Sequence, residues 1–108
     1  MNAVDRAAVA AYPEIGLLLV IRDAGWRFLP PAPGQDWLDG FRAWPGGWRD
    51  GMCVRSVGDA LAIRTNPDGD LVWEHTGTLV DVVTELLVLP VPGDPSGPRL
   101  VIGSSPER

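Results

Sequence analysis

MCVRSVGDALAIRTNPDGDLVWEH, residues 52–75, decides the fold. Asn66-Pro67-Asp68-Gly69 places Pro where a type I turn wants φ near −65°. Gly then falls where a three-residue hairpin loop needs a left-handed residue. Counting outward, Asn66 faces Asp70, Thr65 faces Leu71, Ile63 faces Trp73 and Leu61 faces His75. Arg64 with Val72, and Ala62 with Glu74, fall on the other face. Upstream, Gly58-Asp59 reads as a two-residue turn, which pairs Val57 with Ala60, Ser56 with Leu61 and Val54 with Ile63.

The stretch thus predicts a three-stranded antiparallel meander at about 52–57, 60–65 and 71–75. Its core face carries the rows Met52-Thr65-Leu71, Val54-Ile63-Trp73 and Ser56-Leu61-His75. The other face, solvated or half-covered, carries Cys53-Arg64-Val72 and Arg55-Ala62-Glu74. Thr78 with Asp81 three residues on is a capping box, so a helix is expected over about 79–88, ended by Pro90. Its Leu79, Val82, Val83, Leu86 and Leu87 point inward over the core face.

Working towards the N-terminus, Asp36 can cap a weak helix at 37–43. Trp44-Pro45-Gly46-Gly47-Trp48 must be a turn. Pro30-Pro31-Ala32-Pro33-Gly34 ends a brief strand-like alternation at Trp26–Leu29. Residues 14–24 are apolar nearly all round, as in a buried helix or a central strand. Pro13 and Glu14 in the first turn and Gly25 as a stop favour helix. A further helix is expected over 3–11. Beyond the 79–88 helix, 91–98 reads as a Pro/Gly linker, 99–103 as an added edge strand and 104–108 as a frayed tail. The fold class is therefore α+β in one small domain, 1–108, with N-terminal helical segments beside the meander.

Composition narrows function. The net charge is −5, from nine Arg, no Lys and fourteen acids. Residues 1–54 hold five Arg against six acids, whereas 55–108 hold four against eight, so most of the deficit lies in the second half. Nucleic acid is an improbable partner for such a surface, because phosphate neutralisation supplies much of that affinity. The Arg-only basic set, with abundant Ala, Gly, Pro and Val, fits a GC-rich bacterial genome such as an actinobacterium. A lone cysteine, Cys53, cannot form an internal disulfide, which with the short apolar run 15–21 argues for a cytoplasmic protein and no membrane segment.

No catalytic motif stands out. The single histidine, His75, lies a full strand away from Ser56, beyond hydrogen-bond reach, and reads as structural. Cys53 has no second thiol or histidine in its row. One Cys and one His cannot build the usual zinc site, and Asn66-x-Asp68-x-Asp70 has its glycine at the wrong position for a calcium loop. No cofactor or metal is expected.

The unusual feature is five Trp against one Tyr and two Phe, with Trp37, Trp44 and Trp48 within twelve residues. These indoles could fill a core. Alternatively, with Arg42 and Arg49, they are the residue types enriched at protein interfaces, and Trp37, Arg42, Trp44, Trp48 and Arg49 form the candidate binding set. The sequence therefore favours a protein-interaction module, an adaptor, assembly factor, or regulatory or immunity-type partner, which could self-associate. The other classes are a small-molecule or glycan binder or weak carboxylate-based enzyme using the 37–48 region, and then a DNA-binding regulator.

Overall fold

The computed structural model describes Arg6 and residues 15–104 of the chain. Helix α1 (Ile15–Asp23) leads into β1 (Arg27–Leu29) and β2 (Leu38–Ala43), and a short 3-10 turn follows at Pro45–Gly47. Strands β3 (Arg49–Ser56), β4 (Asp59–Thr65) and β5 (Asp70–Gly77) come next, then helix α2 (Leu79–Val88) and the two-residue β6 (Gly103–Ser104). The strands form one antiparallel sheet in chain order, β1 to β6. The α+β class and the 79–88 helix are as the sequence reads. The helix expected over 3–11 lies outside the described residues except for Arg6, which is helical.

Local chemistry sets one end of each of these two helices. Gly25, at φ 111°, closes α1 in a Schellman arrangement, with Trp26 N donating to Ile21 O and Gly25 N to Arg22 O. The described part of the 14–24 stretch is thus a helix, Ile15–Asp23, rather than a strand. On α2, Thr78 Oγ1 accepts from Asp81 N at 3.1 Å and Thr78 N donates back to Asp81 Oδ2 at 3.4 Å, completing the capping box. Asn66 N donates to Asp70 O and Gly69 N to Asn66 O, the hairpin closure that its four residues predict.

Several expectations are corrected. Residues 37–43 are not a helix. Leu38–Ala43 is strand β2, held between β1 and β3, because pairing on both sides outweighs the weak capping signal of Asp36. The sheet therefore extends two strands beyond the meander on the β3 side. The pairing of β4 is also different. The β3–β4 turn is Val57-Gly58, between paired Ser56 and Asp59, and an irregularity at Val54/Ser56 then aligns Met52 with Ala62 and Asp50 with Arg64. On the other side a bulge opposite Arg64 and Thr65 aligns Trp73 with Arg64 and His75 with Ala62. Lastly, the C-terminal strand is Gly103–Ser104, opposite Leu71 and Asp70, rather than 99–103.

An odd slip in register exchanges the faces of a strand. Met52, Val54 and Trp73 do pack towards the helices, but in β4 it is Ala60 and Ala62 that do so, while Leu61 and Ile63 face away. The core between sheet and helices consists of Ile21, Trp26, Met52, Ala60, Ala62, Leu79, Val82 and Val83, with Leu17, Leu18, Phe28 and Leu86 packed around it. Leu87, expected inside, is exposed. Two alanines in the central strand leave room for α1 and α2 to approach closely, an arrangement that large β4 residues on this face would prevent.

One end of the covered face is polar. Arg64 is 1% exposed and Asp50 3%, and they form a two-point ion pair, Nε to Oδ1 at 2.7 Å and Nη2 to Oδ2 at 3.0 Å. Trp44 Nε1 donates to Asp50 Oδ2 at 2.9 Å, and Arg64 Nη1 donates to Pro90 O just beyond α2. The buried charges are thereby fully hydrogen-bonded, which is the condition for holding them inside.

Candidate functional site

Among the described residues the helices cover one face of the sheet and leave the other open. Three rows cross it. The middle row is Arg27, Phe41, Gly51, Ile63 and Glu74. On one side lie Leu29, Asp39, Cys53, Leu61 and Thr76, and on the other Ala43, Arg49, Thr65, Leu71 and Gly103. Gly51 has no side chain at the centre, so Ile63 leans over it, 3.4 Å from where a Cβ would stand. The face is consequently hollow. A trough of about 980 Å³ lies here, with Leu29, Phe41, Leu61 and Ile63 as apolar lining and Asp39, Arg49 and Thr65 as polar lining.

One end is walled. The turn at Asn66–Asp70 contributes to the trough, and it is braced by the β2–β3 connection, where a Cβ on Gly47 would lie 3.3 Å from Pro67. Gly47 sits at φ 92°, so a side chain there meets both a strained backbone and a neighbouring turn. Asn66 Oδ1 holds the turn by accepting from Asp68 N and Asp70 N, each at 3.0 Å.

Within the trough Cys53 pairs with Asp39 across strands. Burial pushes its thiol pKa up, and the nearby Asp39 carboxylate raises it further by charge and hydrogen bonding. A cysteine held in the thiol form is a poor nucleophile, so the site offers shape and polarity rather than an activated sulfur.

The five residues of the candidate binding set do not share one surface. Arg42 lies across from Asp50 on the helix side, with its guanidinium carbon 3.9 Å from the centroid of Trp44. Trp44 is half-buried and tied to Asp50, so both belong to the polar end of the covered face. Arg49 is on the open face, 5.8 Å from the Phe41 centroid, and Trp37 is 41% exposed with its Nε1 donating to Asp39 Oδ2 at 3.3 Å. Trp48 is half-buried at the end of the 3-10 turn, its carbonyl accepting from Trp44 N.

Sequence reasoning missed Asp39, Phe41, Leu61 and Ile63 as neighbours. Alternation through Asp39-Gly40-Phe41 next to Gly51 was the available signal, and it is visible only if 38–43 is read as a strand. His75 is half-buried and stacked on Trp73, centroids 6.2 Å apart at 13°, with no hydrogen bond to Ser56. Among the described residues no group of three or more His, Cys, Asp or Glu is placed to hold a metal ion, and no helix is long and apolar enough to cross a membrane.

No protein-family model matches the chain, and no curated protein and no solved structure matches it.

Proposed function

We propose that the chain is a small protein-interaction module of adaptor, assembly, regulatory or immunity type, and that it receives its partner on the open face of the sheet. One observation carries this reading: a sheet covered by helices on one side presents on the other a hollow with an apolar floor around Gly51 and a polar rim. Apolar anchors seated in a pocket and ringed by polar groups are how protein interfaces concentrate their binding energy. Of the residues read from the sequence, Arg49 and Trp37 belong to this surface, whereas Arg42 and Trp44 support the fold behind it.

The test uses Cys53 as a reporter. A partner captured by the wild-type chain, once identified and purified, is expected to slow alkylation of Cys53 because it covers the trough. Leu61→Glu is expected to weaken that partner by about 2 kcal/mol or more while the far-ultraviolet dichroism stays native. Unchanged alkylation and unchanged affinity would refute the trough as the docking surface. The trough volume also falls within the ~300–1,000 Å³ range of small-ligand pockets, which favours a small-molecule or glycan site as the second reading. That reading expects a metabolite or glycan to raise the melting temperature and protect Cys53 with no protein present.

A further inference from the structure

Strand β5 is eight residues long, yet β6 pairs only with its first two, Asp70 and Leu71. The last contact is Ile102 N donating to Leu71 O at 2.8 Å. Among the described residues no other backbone hydrogen bond reaches the outer side of Val72–Gly77. The register shows which groups are left over. Asn66 and Asp70 form a bonded pair, so alternate β4 residues, Arg64 and Ala62, also direct their backbone groups to β5, where they meet Trp73 and His75. The N–H and C=O of Glu74 and Thr76 then point outward. Among the described residues no strand pairs with these four main-chain groups, and they can receive another.

The surroundings select its chemistry. Strand β5 and helix α2 together contain Asp70, Glu74, Asp81 and Glu85 and no Arg or Lys. Glu74 stands on the open face, and Asp81 leans towards β5 on the helix side, its Oδ2 3.0 Å from where a Cβ on Gly77 would stand. Between them the stacked, half-buried rings of Trp73 and His75 offer an aromatic surface. We propose that the β5 edge takes up an extended, arginine- or lysine-bearing segment of another protein by strand addition. Its backbone pairs with Glu74 and Thr76. Cationic side chains on one side of that strand meet Glu74, and those on the other enter where Trp73, His75 and Asp81 stand.

A second copy fits less well. Two β5 edges joined antiparallel about a two-fold axis place Glu74 opposite or diagonal to its own counterpart, and like charges so placed repel. The chain's own Leu100, Val101 and Ile102 are 81%, 57% and 60% exposed, so they leave the edge after the Ile102 bond instead of following it.

The inference stands on the edge alone and is independent of the trough. Its probe is a synthetic peptide of about six residues alternating Arg and Val, titrated into the full chain while backbone amide shifts and exchange are followed. The expected result is protection centred on Glu74 and Thr76, an affinity that weakens with salt, and a loss of about tenfold or more on Glu74→Arg. N-methylation of the peptide at the positions that face β5 should abolish binding, whereas the same number of methyl groups on the opposite edge should not. Binding that ignores N-methylation overturns the proposal, and so does protection that spares Glu74 and Thr76, or no binding at all. Protection at Glu74 and Thr76 without peptide also overturns it. Concentration dependence would then name a second copy as the occupant, and sensitivity to Val101→Pro would name the chain's own segment. Cys53 alkylation is expected to be unaffected by the peptide, which separates failure here from failure of the trough reading.

Discussion

Arg64 illustrates how one side chain can serve several elements. Its guanidinium meets Asp50 on β3 with two nitrogens and the carbonyl of Pro90 with the third, while Asp50 Oδ2, which accepts from Arg64 Nη2, also accepts from Trp44 Nε1. Truncating either ion strands a charge in a site with almost no solvent, and this is far costlier than losing a surface pair. Asp50→Ala and Arg64→Ala are therefore each expected to cost about 3–5 kcal/mol in urea unfolding. The double variant Asp50→Leu/Arg64→Met should cost much less than the sum of the two. Additive losses would show that the pair is not coupled. Read from the sequence, Arg64 is a solvated residue opposite Val72, because an arginine flanked by alternating apolar residues ordinarily marks the wet face of a strand. Its partner is fourteen residues away and in register only if the irregularity at Val54/Ser56 is known.

At the scale of elements, β1 joins the sheet through a contact that only glycine permits. A Cβ on Gly40 would stand 2.8 Å from two carbons of the Phe28 ring, so the ring occupies the space that any side chain there would need. Gly40→Ala is expected to cost about 1–3 kcal/mol, and most of that cost should vanish in a Phe28→Ala background. Gly58→Ala, with nothing within 4 Å of the new methyl and no positive φ, should change stability by less than about 1 kcal/mol. Equal losses at the two positions would contradict this account. The same glycine helps explain why 37–43 reads as a helix in the sequence: Asp36-Trp37-Leu38-Asp39-Gly40 has a helix cap and no strict alternation, and what makes it a strand is its neighbours on both sides. The elements that were legible, α2 and the 66–69 hairpin, are those whose determinants are local: a capping box and a turn that needs Pro and Gly at fixed positions. Faces are legible for β3 and for β5 past its bulge, where Met52, Val54 and Trp73 point to the core; Leu71, before the bulge, falls on the open face, and β4 is inverted, its core side taking the two alanines while Leu61 and Ile63 line the trough. Size misleads there because the central strand lies beneath the helices, where a small side chain is what fits.

For the molecule as a whole, this distribution of anchors implies unequal stability. Strands β3, β4 and β5 are paired over most of their length, and β4 and β5 also support α2, which the Arg64–Pro90 bond ties back to the sheet. The flanks are thinner. Strand β1 is three residues and pairs on one side only, and β6 is two residues preceded by three exposed aliphatic side chains. Native-state amide exchange reports the free energy of the opening that exposes each group. Ala62 and Arg64 should therefore exchange only through global unfolding, with the ~5–15 kcal/mol typical of a small domain, while Gly103 should open locally at a free energy near zero. Urea should accelerate exchange at Ala62 steeply and leave Gly103 nearly flat, because local opening exposes little surface. A β6 amide as slow as those of β4 would mean that the C-terminal strand is part of the cooperative core. The outer side of β5 would then be a consolidated boundary of the sheet, and its open edge would have to compete with the chain's own strand for any incoming segment.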